Sequence, residues 1–129
     1  MTAFVEWNKG REGGWCTLAE VDLEDESFQV MEGVYVLWSG RDNPITLRVG
    51  QGYIKGLLAS ELANHRLAGY RAEELFVTWA RVNQLHRADV ARYLAKVLEP
   101  TLGDRYPEGS QIPVNLPERV PTRREPMLP

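Results

Sequence analysis

Gly33-Val34-Tyr35-Val36-Leu37-Trp38-Ser39 and, beyond a turn, Ile45-Thr46-Leu47-Arg48-Val49-Gly50 decide how this chain is read. The first stretch is a continuous apolar, β-branched and aromatic run of strand length, which suits a central strand buried on both faces. The second alternates and returns after the turn signal Gly40-Arg41-Asp42-Asn43-Pro44, so the two form a hairpin. Past Gly50-Gln51-Gly52 the period changes. Ile54, Leu57, Leu58, Leu62 and His65 recur at helical spacing and mark one apolar face.

Downstream, residues 67–71 read as a connector and Leu75-Phe76-Val77-Thr78-Trp79-Ala80-Arg81-Val82 as a third strong strand. A second helix is expected from Gln84 to Glu99, with Val90, Ala91, Leu94, Val97 and Leu98 as its buried stripe. Asn83 is its N-cap and Pro100 its stop. From Leu102 onward the chain is rich in Pro, Gly and polar residues, and Ile112 to Pro117 is expected to lie extended against the core. Upstream, Phe4 to Trp7 reads as a short extended segment and Asn8 to Gly14 as a loop. Trp15 to Leu23 has a period near two and reads as a half-buried strand. Glu24-Asp25-Glu26-Ser27 is an acidic turn or edge.

The expected fold is α/β (α+β): a small, mostly antiparallel sheet of three core strands flanked by helices, with an extra N-terminal strand or hairpin. Three stretches follow from this. Residues 1–32 are an acidic extension packed on the core, 33–117 are the domain proper, and 118–129 are a flexible, proline-bearing tail.

A chain of 129 residues with 43% hydrophobic and 26% charged content suits one ordinary globular domain. No apolar run is long enough to cross a bilayer, and the first residues lack the apolar core of a signal peptide, so neither a membrane role nor secretion is expected. The net charge of −3 is unevenly placed. Residues 1–40 carry two bases and eight acids, and the remainder thirteen bases and ten acids. That split permits a local basic face without demanding one. Cys16 has no second cysteine to bond, which fits a reducing, cytoplasmic setting. Two histidines, His65 and His86, with one cysteine give no metal-ligand spacing, and no metal site is assigned.

Gly33-Val34-Tyr35 resembles the first word of GIY-YIG nuclease domains, and Arg48-Val49-Gly50 stands in the place of the second. Gln51-Gly52 with Ile54 resembles the family's turn into its first helix, and Phe76-Val77-Thr78-Trp79 its third strand. Arg92-Tyr93-Leu94 with Glu99-Pro100 resembles its last helix. Asp104-Arg105-Tyr106-Pro107 and Val114-Asn115-Leu116-Pro117 resemble trailing segments of bacterial members. The resemblance spans about residues 33–117. It implies metal-assisted phosphodiester hydrolysis, with a first-word tyrosine, a first-helix arginine and a last-helix glutamate that holds the cation.

Here Tyr35 matches the tyrosine, but Arg48 replaces the second tyrosine. Leu57 and Leu58 stand where the arginine belongs, and Ala91 where the glutamate belongs. Lys55 and Arg66 are the nearest bases. The resemblance therefore implies a domain that has lost nuclease chemistry and acts in nucleic-acid or protein binding, with no cofactor. The alternative is an active endonuclease using Tyr35, His65 and an unorthodox carboxylate, Asp89 or Glu99, with Mg²⁺ or Mn²⁺.

Each candidate has a plainer reading beside the chemical one. Tyr35 is a general base or a packed aromatic with a bonded hydroxyl. His65 is a proton relay or a boundary histidine. Arg48, Gly50, Gln51, Arg66, His86, Arg87 and Arg92 are the candidate binding residues for DNA or RNA. For His86, Arg87 and Arg92, with Lys96, a solvated helix face serves as well. Gly50-Gln51-Gly52 is a phosphate cradle or a tight turn. Trp7 and Trp15 either cover a sheet edge or offer the N-terminal region to a protein partner.

Overall fold

The computed structural model describes residues 3–9, 14–40, 44–102, 106 and 108–118. Parts of the expected loop (10–13), the expected turn (41–43), the trailing segment (104, 105 and 107) and the expected tail (119–129) lie outside the described residues.

Four strands form one antiparallel sheet in the order β1-β4-β2-β3, where β1 is Cys16–Thr17, β2 is Glu32–Ser39, β3 is Thr46–Tyr53 and β4 is Leu75–Arg81. The helices are α1, Ile54–Leu62, and α2, Gln84–Leu98. The fold is thus α+β, with the hairpin β2–β3 and the strand β4 where the apolar runs place them. β2 is central, and seven of its eight residues are buried, as a continuous apolar run requires.

The sheet divides the core into two layers. Tyr35, Leu37, Val77 and Trp79 face α1 and pack with Ile54 and Leu58. Val34, Val36, Trp38 and Ala80 face α2 and pack with Val90, Ala91, Leu94 and Leu98. Alternation along each strand produces this split. One irregularity interrupts it: the β2–β3 register steps from Leu37↔Arg48 to Trp38↔Thr46 and skips Leu47. This bulge leaves Leu47 and Arg48, adjacent in sequence, both on the α1 side.

Three expectations change. The strand expected over 15–23 is reduced to Cys16–Thr17. Glu20 turns the chain back by accepting from the Thr17 N–H (3.0 Å) and hydroxyl (2.8 Å), and Asp25 then caps a 3₁₀ turn at Glu26–Phe28. Gly50-Gln51-Gly52 is not a turn before the helix: it is strand, and α1 follows Tyr53 directly, with Gly52 at φ 138°. The apolar face of α1 does not continue to His65. The helix ends at Leu62, and Asn64 caps a separate 3₁₀ turn, His65–Leu67, by accepting from the Arg66 N–H. Leu62 is 51% exposed, and Glu61 takes the inward position instead.

The second helix agrees with its sequence. Asn83 accepts from the Leu85 N–H as an N-cap, and Glu99 closes the helix in the left-handed conformation before Pro100. The extended segment near 112–117 reaches the core through Val114, which bridges Ala3 in parallel. No helix among the described residues is long and apolar enough to cross a membrane.

Candidate functional site

Tyr35 points from the central strand into the α1-side core and is 2% exposed. Its cross-strand partner on β3 is Gly50. A Cβ there would lie 2.3 Å from the Tyr35 ring, so glycine is what lets the ring lie across β3. Two pairs along, Arg48 opposes Leu37 on the same face. Both side chains reach Glu61, which α1 delivers from above.

Glu61 lies seven residues, about two helical turns, beyond Ile54, so it shares the buried stripe of Ile54 and Leu58. Its Oε2 accepts from the Tyr35 hydroxyl at 2.6 Å and from Arg48 Nε. Its Oε1 accepts from Asn64 Nδ2 at 2.9 Å. The same Asn64 begins the 3₁₀ turn after α1, so the cluster fixes how the helix ends. Glu61 is 3% exposed, and Arg48 is mostly covered.

The electrostatics follow from this geometry. Burial first, and then the Glu61 carboxylate, hold the Tyr35 hydroxyl well above its ordinary pKa, although Arg48 pulls the other way. Burial works to lower the pKa of Arg48, but the Glu61 charge and the Tyr35 contact outweigh it and the net shift is upward. The phenol is therefore held neutral beside the Glu61–Arg48 ion pair. A general base needs the opposite shift in the phenol.

The remaining nominated residues are dispersed. Arg87 on α2 donates to Gln51 at 2.9 Å and pairs with Glu32. Arg92 pairs with Asp89 at 2.6 Å and donates to the Ser110 carbonyl at 3.1 Å. His65 and Arg66 are exposed in the 3₁₀ turn, and His86 is exposed on α2. Leu58 and Ala91, which stand where the resemblance would put the arginine and the glutamate, are both fully buried, in opposite layers. α2 packs on the other face of the sheet from Tyr35, which keeps Asp89 and Glu99 away from its hydroxyl.

No known protein family, no curated protein and no solved structure matches the chain. Among the described residues, no three His, Cys, Asp or Glu side chains stand together as a metal-holding group.

Trp7 and Trp15 are partly buried against the α2-side core. Trp15 meets Trp38 edge-on at 5.8 Å under Lys9, and Trp7 Nε1 donates to the Asn115 carbonyl at 2.9 Å. Trp38 and Trp79 belong to the core, as their strands require.

Sequence reasoning missed Glu61 and Asn64. The signal for Glu61 was a carboxylate at the i+7 position of the stripe begun by Ile54 and Leu58, with an arginine on the neighbouring strand to receive it. Leu62, one position on, offered an apolar side chain and drew the stripe past it.

Proposed function

We propose that this chain is a GIY-YIG-like domain that has lost phosphodiester cleavage and acts by binding. One observation carries the reading: the Glu61 carboxylate is spent within the protein. Tyr35 and Arg48 occupy its Oε2, Asn64 takes one position on its Oε1, and it holds the Tyr35 hydroxyl proton in place. A buried carboxylate with three internal donors serves the fold more readily than a cation. The order of hairpin, helix, strand and helix supports the family reading.

The partner we favour is a protein. Of the arginines nominated for a phosphate face, Arg48, Arg87 and Arg92 each meet a carboxylate, which leaves a thin basic surface for nucleic acid. In the N-terminal region Phe4 is 80% exposed, whereas the two tryptophans turn inward. A reducing, cytoplasmic setting fits a chain whose one cysteine, Cys16, is buried.

A second reading, an endonuclease supplied with Mg²⁺ or Mn²⁺, draws on the same cluster, because a carboxylate and a guanidinium do converge on the Tyr35 phenol. Incubation with DNA and RNA in each metal separates the two. Under our reading the wild type leaves both intact, and Tyr35→Phe lowers stability by about 2 kcal/mol in urea unfolding, the worth of a hydrogen bond to a charged group. Cleavage by the wild type that disappears in Tyr35→Phe would establish the endonuclease. Retardation of nucleic acid without cleavage, weakening steeply with salt, would exchange the protein partner for nucleic acid.

A further inference from the structure

A pocket of ≈ 290 Å³ opens beside the buried cluster, between the end of α1 and the 3₁₀ turns that lead to β4. Leu18, Leu62, Leu67 and Leu75 supply apolar walls, and Glu61 and Asn64 line it together. Its size is at the small end of ligand sites and suits a molecule of one ring rather than a nucleotide or a peptide.

An ionised carboxylate offers about four acceptor positions. On Glu61, Oε2 takes two donors and Oε1 takes one, from Asn64. The remaining acceptor position therefore belongs to Oε1, beside the asparagine that lines the same pocket. The charge of Glu61 is already balanced by Arg48, so a second cation is not required there. An anion would meet the Glu61 carboxylate, to which Asn64 and Arg48 each already direct an N–H.

We infer that this pocket binds a small, uncharged, single-ring molecule carrying an N–H donor, such as a primary amide or a heteroaromatic N–H, with the donor on Glu61 Oε1 and the ring among the leucines. The proposal rests on the reading above only in that Glu61 holds no cation, which the incubation of nucleic acid with each metal tests separately. A pocket built to receive a hydrogen bond rejects an analogue of the same shape that lacks the donor.

Benzamide and methyl benzoate make that comparison, because they share a ring and a carbonyl and differ in the N–H. In an amide-resolved NMR titration of the full chain, benzamide should give saturable shifts at Asn64, His65 and Ala68 on the order of millimolar concentration. Methyl benzoate should bind at least about tenfold more weakly. Ala68→Trp, at an exposed position on the rim, should abolish the shifts while the rest of the spectrum is retained. Leu62→Trp should do the same from the helix side. Absence of saturation with benzamide, equal affinity for the ester, or binding that survives both tryptophans would overturn the proposal.

Discussion

At the scale of single residues, the Tyr35 proton is the most informative group. A tyrosine in an unfolded chain ionises near pH 10. In the folded chain, burial and the adjacent Glu61 carboxylate raise that value. Above the unfolded pKa the unfolded chain has released a proton that the native chain still holds, so stability falls as pH rises. The contribution is fully present below about pH 10 and is lost as pH climbs through the folded value. An alkaline titration followed by phenolate absorbance and near-ultraviolet circular dichroism should show Tyr35 ionising together with the loss of tertiary structure. In Tyr35→Phe the absorbance change coincident with unfolding should shrink by one phenol. If Tyr35 ionises while tertiary structure persists, the buried hydrogen bond to Glu61 is wrong.

Between elements, the cluster depends on how closely β3 lets the Tyr35 ring approach. A Cβ on Gly50 would stand 2.3 Å from ring carbon Cε1, whereas a Cβ on Gly69 would meet nothing within 4 Å. Gly50→Ala should therefore displace the ring, disturb its bond to Glu61 and cost about 1–3 kcal/mol in urea unfolding. Gly69→Ala should be neutral or slightly stabilising. Equal effects would remove the reason given for a glycine opposite Tyr35. This scale also marks the limit of what the sequence carries. β2, β3, β4 and α2 announce themselves because a continuous apolar run, an alternating return and a capped helical stripe each have one physical solution. β1 does not: Glu20 folds back onto Thr17 and ends a strand that its period of two would extend. The end of α1 is equally local, since Asn64 stops the apolar face short of His65. Glu61 was legible only in combination with Arg48. The bulge at Leu47, which brings that arginine to the α1 side, has no signature in residue type.

Across the whole molecule, the two ends of the described chain depend on each other. The Asn115 side chain accepts from the Val5 N–H at 2.7 Å and donates to the Val5 carbonyl at 3.0 Å, so a side chain stands in for a neighbouring strand. Trp7 Nε1 donates to the Asn115 carbonyl, and Ala3 bridges Val114. These bonds hold both segments over the α2-side layer, where Trp7, Ile112 and Leu116 pack against the buried core. Asn115→Ala removes both bonds to Val5 at once and leaves the backbone contacts to Ala3 and Trp7. The expected cost is about 1–3 kcal/mol, because Val5 loses partners for both its N–H and its carbonyl. Amide hydrogen exchange gives the sharper readout. Residues 3–8 and 111–117 should lose protection together in Asn115→Ala, while β2 and β4 keep theirs, because local opening follows cooperative units. Loss confined to one segment would mean that each end docks on the core by itself. A joint loss would place residues 3–8 and 111–117 in one cooperative unit joined through Asn115.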